Sequence, residues 1–477
     1  MNHNLARLAE ETFDRNGDFD AVWFEDRWYR SGELFERARR VAAGLTEAGV
    51  QPGDRVIVMA TNSPSVPMLY NAIWRAGAVA TPVIFLMPRA ELRQIVASAE
   101  PKLIVASPEL DVDGALSLEE LPEAEPAPIV ARSDDDLAAL MYTGGTTGRA
   151  KGVMLSHANL WHAGKAGHDA GYLPEITRGL GALPLSHAYG LLVTVVGLHV
   201  PQPARTVLMR WFEPQRFLEL AQEHRIQISA VVPSMLQLLL TKPLEEYDLS
   251  ELRYLVSGAA PLARDVVEEL RRRLPQVEIR EGYGLTETSG IVSGNRPGRV
   301  KLGTVGEPVP GCEARIVADG ERELARGEVG EICVRSPFVM RGYWRDGELT
   351  AETMRGGWLH TGDLGSLDDD GYLTIVDRKK DLIIRGGFNV FPRDVEDVLL
   401  EHPAVSIAGV VGRPDERHGE EVVAFVSLRG EATEEELVAF AKERVGAYKY
   451  PREVRIVSDV PLTPVGKVDR KSLRAML

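Results

Sequence analysis

Along the first third of the chain, some segments have apolar residues at helical spacing, and others have the apolar runs that are typical of buried strands. The spacing predicts an amphipathic helix over 37–48 that ends at Gly49, and the apolar run over 56–60 predicts a buried strand after it. A second strand is predicted over 102–107, with a helix between the two strands that ends near Gly77. Strands and helices that alternate in this way favour a largely parallel sheet with helices on both faces.

After about Gly303 the pattern changes to short alternating strands separated by glycine turns, which indicates a β-rich subdomain. Farther along, a strand, a charged joint at 379–381 and a second strand precede a helix that begins at Pro392. The final part of the chain contains another α/β pattern. Within it, Thr433 and Glu436 have the spacing of a capping box, which predicts the start of a helix.

Chain length indicates more than one domain, because 477 residues exceed what a single hydrophobic core usually holds. We expect an α/β fold with a large N-terminal domain over 1–378, made of stacked doubly wound sheets plus the β-rich subdomain. A hinge is predicted at 379–381. A small mobile α+β C-terminal domain is expected over 382–477.

Composition and charge narrow the range of partners. The chain is 44% hydrophobic and 26% charged, as in ordinary globular proteins, and its net charge of −15 argues against a nucleic-acid partner. Its two cysteines, Cys312 and Cys333, form neither a CxxC pair nor a zinc-ligand pattern and are interpreted as reduced thiols. The first residues lack the apolar core of a signal peptide. We therefore expect a cytoplasmic protein.

One apolar stretch, 179–204, contains no Asp, Glu, Lys or Arg. Its prolines, Pro184, Pro201 and Pro203, leave a short apolar centre, whereas a membrane-spanning helix needs about 20 predominantly apolar residues. We interpret the stretch as a buried strand, a turn and a buried helix, and we expect no transmembrane segment.

A loop rich in glycine and threonine, MYTGGTTGRAKGVMLSH, runs from Met141 to His157. Its lysine does not directly follow a glycine, and the residues after it are strand-like, so it is not a Walker loop. Glycines would let backbone N–H groups turn toward a phosphate, while threonines add hydroxyl donors and the lysine adds a cation. Taken alone, the loop is better interpreted as a flexible surface turn, so other segments must support a phosphate site. The candidate phosphate ligands are Thr143, Gly144, Gly145, Thr146, Thr147 and Lys151.

Four further segments follow this loop in order. They are EGYGLTETSG over 281–290, GWLHTGDLG over 357–365, DRKKDLIIRGGFNVFPRDVE over 377–396 and PLTPVGKVDRKSL over 461–473. Together the five segments resemble the motifs of the acyl-adenylate-forming superfamily, which includes acyl-CoA synthetases, peptide-synthetase adenylation domains and luciferases. The usual phosphate loop of that family has Ser and Pro where this chain has Gly144 and Ala150, so we expect weaker phosphate binding.

The resemblance implies a two-step reaction that uses ATP, Mg²⁺ and coenzyme A. A carboxylic acid and ATP would give acyl-AMP and pyrophosphate, and a thiol would then take the acyl group and release AMP. Because an acid anion and a triphosphate repel each other, a cation must approach both. The resemblance assigns this cation to Lys467 and the Mg²⁺ ligands to Glu287 and Thr146. The catalytic residues so implied are Lys467, Thr286, Glu287 and His187.

The resemblance also implies a nucleotide site. Tyr283 would stack on adenine, and Asp363 and Arg378 would hold the ribose. Without the resemblance, Tyr283 would be interpreted as a core residue and Asp363 as a turn residue. The nucleotide-binding set is Thr143, Gly144, Gly145, Thr146, Thr147, Lys151, Gly258, Ala259, Ala260, Glu281, Gly282, Tyr283, Gly284, Thr286, Asp363 and Arg378.

Two further roles follow from the same resemblance. Lys380 occupies the hinge position between the two steps, in a charged cluster suited to a backbone change. Gly386 and Gly387 would line the tunnel for the pantetheine of coenzyme A. The simpler interpretation of this pair is a hairpin turn.

The acyl pocket is expected from three apolar segments over 186–196, 231–235 and 257–261. They contain no Arg or Lys to pair with a second carboxylate and no acid to pair with an amino group, so an apolar or aromatic monocarboxylic acid is expected. A fatty acid is favoured, because the motifs look closest to fatty-acyl-CoA ligases, and an aryl acid is the alternative. His187 would either gate the carboxylate or form a hydrogen-bonded wall. The bulkier lining residues are Tyr189, Leu191, Leu192 and Met235.

Two other hypotheses stay open. A stand-alone enzyme would load the phosphopantetheine thiol of a carrier protein, because the chemistry as far as acyl-AMP is the same. A catalytically silent nucleotide or acyl sensor is disfavoured by the presence of Lys467, Glu287 and Asp363. The sequence also leaves open a homodimer and, for a long-chain acid, a peripheral membrane contact.

Overall fold

A computed structural model of the chain describes residues 3–143, 150–318, 320–463 and 467–477. These residues form two compact units, each containing helices and strands. The first unit comprises Met1–Ala314 and Val334–Leu359, and the second comprises Arg315–Cys333 and His360–Leu477.

Helices and strands alternate along most of the chain. The helices are α1 (Leu5–Asn16), α2 (Ser31–Glu47), α3 (Ser65–Arg75), α4 (Arg89–Ala99), α5 (His157–Gly171), α6 (Ala188–Leu198), α7 (Pro214–Glu223), α8 (Pro233–Leu240), α9 (Arg264–Arg273), α10 (Gly347–Thr353), α11 (Pro392–Leu400), α12 (Glu434–Arg444) and α13 (Arg470–Ala475). The strands are β1 (Asp20–Phe24), β2 (Arg27–Arg30), β3 (Arg55–Ala60), β4 (Val79–Ile84), β5 (Leu103–Ala106), β6 (Leu116–Ser117), β7 (Leu137–Thr143), β8 (Lys151–Ser156), β9 (Arg178–Gly181), β10 (Arg205–Leu208), β11 (Ile228–Val231), β12 (Tyr254–Ser257), β13 (Glu278–Tyr283), β14 (Ser293–Gly294), β15 (Glu307–Pro308), β16 (Glu313–Val317), β17 (Gly330–Arg335), β18 (Gly342–Tyr343), β19 (Leu359–Leu367), β20 (Leu373–Arg378), β21 (Ile383–Arg385), β22 (Phe388–Val390), β23 (Val405–Asp415), β24 (Gly419–Leu428) and β25 (Glu453–Ile456).

Two largely parallel sheets form the first unit. A seven-stranded sheet has the order β18-β8-β7-β4-β3-β5-β6, and a nine-stranded sheet has the order β15-β14-β13-β12-β11-β9-β10-β1-β2. Neighbours are parallel from β7 to β6 in the first sheet and from β13 to β1 in the second. Every residue of β4 is buried, as is typical of a parallel strand covered on both faces. The predicted α/β class is confirmed.

Asn62, which follows β3, connects the two sheets of the first unit. It is 1% exposed, and its side-chain nitrogen donates to the carbonyls of Leu183 (2.8 Å) and Met209 (3.0 Å). Its side-chain oxygen accepts the N–H of Leu185 (2.8 Å), and its own N–H donates to the carbonyl of Arg210 (3.2 Å). Because a buried amide must satisfy its polar atoms, these bonds hold the end of β3 against the segments that follow β9 and β10.

The second unit contains a four-stranded sheet, β16-β17-β19-β20, and a five-stranded sheet, β22-β21-β24-β23, in which β25 also pairs with β24. Alternate residues of β24 enter two cores. Val422 and Ala424 join the core that includes Leu399 of α11, whereas Val423 joins the core that includes Leu473 of α13. This two-residue alternation is that of a strand with helices on both of its faces.

One helix begins as predicted and another begins earlier, because a residue outside the predicted helix satisfies its first turn. The predicted capping box forms, because Thr433 Oγ1 accepts the N–H of Glu436 and the Glu436 carboxylate accepts the N–H of Thr433. In contrast, α2 begins six residues before the predicted start at Arg37. The side chain of Asp18 accepts the N–H of Gly32 (2.9 Å) and so satisfies the first turn.

The charge-free stretch 179–204 folds as predicted, into strand β9, a turn and the eleven-residue helix α6. Nowhere in the described residues does a helix combine the length and the apolar character needed to cross a membrane. The predicted hinge, Lys379–Asp381, is one turn of 3-10 helix inside the second unit. The domain limits at 378 and 382 stay predictions.

Two buried histidines predict an acid-sensitive fold. Burial lowers the pKa of His157 to about 4, helped by the charge of Arg132, and burial lowers the pKa of His199 to about 4. In the unfolded chain both side chains have the ordinary pKa of 6.5 and bind protons more readily. Their contribution to the free energy of unfolding is therefore fully present above pH 6.5 and is lost as the pH falls toward 4.

We expect His157→Asn to reduce this pH dependence, because asparagine keeps an acceptor for the N–H of Leu5 and does not titrate. Each histidine should contribute about 1–2 kcal/mol of stability lost between pH 7 and pH 5. Denaturant unfolding at a series of pH values measures this loss. The control His402→Asn should keep the full pH dependence, and an unchanged slope in His157→Asn would contradict the assignment.

Candidate active site

Four neighbouring strands of the nine-stranded sheet end at one edge. Strands β9, β11, β12 and β13 are parallel, so their carboxyl ends lie side by side, which is where ligands bind in sheets of this kind. The segments predicted for the acyl and adenine pockets follow these ends. Helix α6 follows β9, α8 follows β11, Gly258–Ala260 follow β12, and Gly284 follows β13.

The turn after β13 requires glycine. A Cβ atom on Gly284 would lie 2.2 Å from the carbonyl oxygen of Gly290, which no larger residue would tolerate. Glu281, Gly282 and Tyr283 are the last three residues of β13, and Thr286 opens the 3-10 turn that contains Glu287. The predicted adenine and magnesium segment is therefore a strand end followed by a tight turn.

The segment after β12 contains a strained residue. Ala259 has φ = +68°, in the left-handed region that residues with a Cβ atom rarely adopt. On its N-terminal side, the N–H of Gly258 donates to the carbonyl of Val231 (3.3 Å), and Ala260 follows on the other side. Strain of this kind concentrates at binding sites, so it supports the prediction that 258–260 contacts the nucleotide.

Tyr343 fixes the position of Glu287. Its hydroxyl donates to Glu287 Oε1 (2.9 Å), while the Glu287 carbonyl accepts the N–H of Met340 (2.8 Å). Burial raises the pKa of Tyr343, and the nearby charge of Glu287 raises it further, so the hydroxyl stays protonated as a donor. Glu287, which is predicted to bind Mg²⁺, is thus held by one hydrogen bond at its carboxylate and another at its backbone carbonyl.

Lys151 lies over the ring of Tyr343. Its ammonium nitrogen is 5.5 Å from the ring centroid, a cation–π distance. Lys151 pairs with Thr143 across the antiparallel strands β7 and β8, so the predicted phosphate loop joins these two strands. The predicted ligands Gly144, Gly145, Thr146 and Thr147 lie outside the described residues.

The donor chemistry at Glu287 fits Mg²⁺. This ion prefers oxygen ligands, and in nucleotide sites it takes one or two carboxylates together with phosphate oxygens and waters. Glu287 supplies one such carboxylate. When bound, the ion would neutralise phosphate charge.

The residues predicted to line the acyl pocket are mostly packed in cores. Leu191 and Met235 are buried, and Leu192 belongs to an apolar cluster with Phe338. Tyr189 donates its hydroxyl to the carbonyl of Val256 (3.0 Å), which fixes the ring against the end of β12. These side chains therefore pack in the core beside the strand ends and support the candidate pocket from inside. Their contact with a substrate stays a prediction.

His187 has a structural role at the start of α6. Its Nδ1 accepts the N–H of Tyr189 (3.2 Å), which caps the helix. This bond favours the second of the two interpretations given to His187 above, the hydrogen-bonded wall.

In the second unit, Asp363 and Arg378 lie opposite each other on β19 and β20. Arg378 Nε is 3.5 Å from Asp363 Oδ1. The Asp363 side chain is buried and the Arg378 side chain is half-exposed, so the pair offers one acceptor and one donor group to a polar ligand. This arrangement agrees with the roles predicted for the two residues at a ribose.

Lys467 lies near this pair, within the same unit. The pKa of Lys467 is lowered to about 8, mainly by burial and also by the charge of Arg378, while the charge of Asp363 opposes the shift. The N–H of Lys467 donates to Thr463 Oγ1 (3.2 Å), and its carbonyl accepts the N–H of Thr463 (2.7 Å). These two hydrogen bonds hold the backbone of Lys467 against Thr463.

Buried charges surround the C-terminal side of the predicted hinge. Asp381, which follows Lys380, accepts a hydrogen bond from Arg474 (2.8 Å). Arg470 donates two hydrogen bonds to Glu396 (2.8 and 2.7 Å) and lies 3.7 Å from Asp381. Burial raises the pKa of Glu396 to about 6, against the opposing charge of Arg470. Helix α13, directly after the Lys467 segment, is therefore tied to the hinge.

Gly386 and Gly387 form the turn between β21 and β22. Their φ values of +58° and +83° are those of a two-residue hairpin turn, which glycine adopts without strain. The hairpin interpretation is confirmed, and the role in a pantetheine tunnel stays a prediction.

Several residues at the site were missed by the sequence analysis. Tyr343 and Glu287 are 56 positions apart in the chain, and neither period nor spacing connects them. Glu396 is a carboxylate inside a helix pattern, where a solvent-facing position is the usual expectation. A signal was present only for Tyr343, as an aromatic residue directly after a glycine that ends a loop.

The comparisons with known proteins agree with this geometry. The model of the family described as AMP-binding enzyme matches residues 9–344, and that of the AMP-binding enzyme C-terminal domain matches residues 394–467. The chain is 38% identical to 4-coumarate--CoA ligase-like 9 of Oryza sativa subsp. japonica over 488 residues, which covers 94% of this chain and 87% of that protein. It is 32% identical to the long-chain-fatty-acid--CoA ligase of Bacillus subtilis (strain 168), over 99% of this chain and 94% of that one.

A solved structure with the same fold contains a nucleotide. The o-succinylbenzoate coenzyme A synthetase (MenE) of Bacillus subtilis, in complex with ATP and magnesium ion, matches with a TM-score of 0.90 and 28% identity. The match covers 98% of this chain and 99% of that one. The protein has two largely parallel sheets, with a glycine turn and an anchored carboxylate at their common edge. It therefore belongs to the class of α/β enzymes that use a nucleotide.

The chain belongs to the family of AMP-binding enzymes. The predicted superfamily and enzyme class are confirmed by this assignment. The predicted ATP and Mg²⁺ agree with the ligands of the solved relative, and the predicted coenzyme A agrees with the names of the related ligases.

We expect Tyr343→Phe to weaken the use of Mg²⁺, because the Glu287 carboxylate loses the hydroxyl that orients it. The Mg²⁺ concentration at half-maximal rate should rise about tenfold, as is usual when a partner of a metal ligand is lost. Titrating Mg²⁺ at saturating ATP measures this. Tyr372→Phe, a buried tyrosine of the second unit, is the matched control, and equal Mg²⁺ curves for both variants would contradict the role of Tyr343.

Proposed function

We propose that the chain is an ATP-dependent acid–CoA ligase that acts on an apolar monocarboxylic acid. The observation that carries the proposal is the position of Lys467, within electrostatic reach of Asp363 and Arg378. A lysine this near to the predicted ribose pair would bring a cation to the α-phosphate of a bound nucleotide. The related 4-coumarate and fatty-acid ligases support the reaction class.

In the first step, a carboxylate oxygen of the acid attacks the α-phosphorus of ATP. The bond from this phosphorus to the bridging oxygen breaks, and pyrophosphate leaves. Lys467 offsets the charge that the two anions bring together, and Asp363 accepts hydrogen bonds from the ribose hydroxyls. Glu287, oriented by Tyr343, would hold the Mg²⁺ that accompanies the phosphates.

In the second step, the sulfur of coenzyme A attacks the acyl carbonyl carbon. The bond from this carbon to the AMP oxygen breaks, AMP leaves, and the thiol proton passes to solvent. Gly386 and Gly387, which have no side chains, would leave a path for the pantetheine. Lys380 would absorb the backbone change between the two steps.

The acid is the finer part of the proposal. An aryl acid of the 4-coumarate type is the first candidate, because the relative of that name is 38% identical, and a fatty acid is the second, with a relative at 32%. The hydrogen bond from Tyr189 to Val256 also favours a compact acid, because a fixed ring restricts the space beyond it. The fatty acid favoured by the motifs stays a prediction.

A panel of acids tests the function and the substrate together. With ATP, Mg²⁺ and coenzyme A, we expect AMP and pyrophosphate from 4-coumarate and from octanoate or palmitate. We expect neither product from malonate, because the predicted pocket segments contain no Arg or Lys to pair with its second carboxylate. Lys467→Ala should lower the rate about 10²–10³-fold, the usual cost of losing a group that stabilises transition-state charge.

Three outcomes would redirect the assignment. Release of ADP and phosphate in place of AMP and pyrophosphate would reject it. A phosphopantetheinylated carrier protein that accepts the acyl group faster than coenzyme A would convert it to carrier loading. ATP binding without pyrophosphate exchange for any acid would revive the silent sensor.

The lowered pKa of Lys467 predicts the pH dependence of the first step. The ammonium must be charged to approach two anions, so kcat/KM for acyl-AMP formation should fall as the pH rises through about 8. Lys467→Arg stays charged over this range and should lose the falling limb, although its absolute rate is lower. Pyrophosphate exchange between pH 6.5 and pH 10 measures both profiles, and a shared limb near pH 8 would exclude Lys467 as its source.

A further inference from the structure

Glu331 is a buried carboxylate of β17 to which the proposed reaction assigns no role. Its side chain is 8% exposed. A buried charge is costly unless hydrogen bonds and opposite charges compensate for it. The partners of Glu331 therefore indicate what this carboxylate is retained for.

The first partner is the turn that carries Asp363. Glu331 Oε1 accepts the N–H of Gly362 (3.2 Å), the residue immediately before Asp363. Gly362 has φ = +71°, which a residue with a Cβ atom rarely adopts. The hydroxyl of Thr361 donates to the carbonyl of Ile332 (2.8 Å) and accepts the N–H of Asp363 (3.1 Å). The turn is thus anchored at three successive residues, and Glu331 holds the middle one.

The second partner is Lys379, directly before the predicted hinge residue Lys380. Its ammonium donates to Glu331 Oε2 (3.2 Å). Lys379 itself is half-exposed, so this pair reaches from the buried sheet to the start of the hinge. One carboxylate therefore contacts both the ribose turn and the hinge.

The third partner is His360, whose Nδ1 lies 3.3 Å from Glu331 Oε2. Burial by itself would raise the pKa of Glu331, but the hydrogen bond with His360 and the charge of Lys379 outweigh burial, and the pKa is lowered. The carboxylate is therefore ionised at neutral pH. It uses one oxygen for the backbone of the turn and the other for the two side chains.

We propose that Glu331 is a positioning residue, which orients the Gly362 turn so that Asp363 meets the ribose hydroxyls and which anchors Lys379 on the N-terminal side of the hinge. The inference rests on the proposed function, because it assumes that Asp363 binds ribose. It adds to that function a residue that does not touch the substrate. A purely structural role would stabilise the sheet without affecting the recognition of ribose hydroxyls.

Glu331→Gln separates the two roles. Glutamine has a single side-chain oxygen, so it cannot accept from the backbone of Gly362 and from Lys379 with two separate oxygens. We expect the dissociation constant for AMP, measured by calorimetry, to rise about tenfold. For 2′,3′-dideoxy-AMP, which lacks both ribose hydroxyls, we expect less than about a threefold change. The preference for AMP over the dideoxy analogue should therefore shrink in the variant.

Two further variants test the route of the effect. Lys379→Met removes one partner and leaves the bond to Gly362, so it should weaken AMP binding less than Glu331→Gln does. In the double variant the effects should not add, because both act through the same carboxylate. Glu313→Gln, an exposed carboxylate of the neighbouring strand paired with Arg335, is the matched control and should bind both nucleotides like the wild type.

The outcomes are distinct. Equal loss of affinity for AMP and for the dideoxy analogue in Glu331→Gln would overturn the positioning role. If Glu331→Gln fails to fold, an AMP affinity in Lys379→Met identical to the wild type would likewise overturn the link to the hinge. A wild-type chain that binds neither nucleotide would instead overturn the proposed function. A selective loss for AMP supports both.

Discussion

The hydrogen bonds of one buried asparagine determine where the site of the first unit lies. Asn62 satisfies its amide on backbone groups that follow β9 and β10, while its own position follows β3 of the other sheet. These are the carboxyl ends of parallel strands, the edge at which sheets of this kind usually bind ligands, so the bonds connect the candidate ligand edges of the two sheets. An apolar residue at position 62 would remove the three side-chain hydrogen bonds that Asn62 makes to these backbone groups, which weakens the connection between the two edges.

The candidate site at this common edge consists of backbone segments in close contact and of charged side chains that are held in place. Gly284 lies too close to Gly290 for any side chain, and Ala259 is held in a strained conformation. The charged groups are few but fixed, since Glu287 is held by Tyr343 and Lys151 lies over the same ring. Fixed dipoles and charges of this kind favour transition-state stabilisation, because they need no reorganisation during the reaction.

Periodicity and capping chemistry were enough to predict the elements whose causes are local. The strands around Val58, the helix capped by Thr433 and the turn at Gly386 depend on residues within a few positions of one another, and the structure has them where predicted. The positions of residues held by partners distant in the sequence could not be predicted from local patterns. The early start of α2 depends on Asp18, the orientation of Glu287 depends on Tyr343, and the Gly362 turn depends on Glu331. The motifs predicted which residues form the candidate site, and tertiary hydrogen bonds determine how they are oriented.

The ion pairs beside the predicted hinge bear on the proposed two-step reaction. Glu331 and Lys379 both precede Lys380 in the chain, and Asp381 and Arg474 both follow it. A change of torsion angles at Lys380 moves everything after it relative to everything before it, so neither pair would have to break. The interaction of Lys467 with Asp363 and Arg378 is different, since it joins residues on opposite sides of Lys380. The same rotation would therefore keep the hinge supported on both sides while it removes the lysine from the ribose pair, which is what a second step with different chemical needs requires.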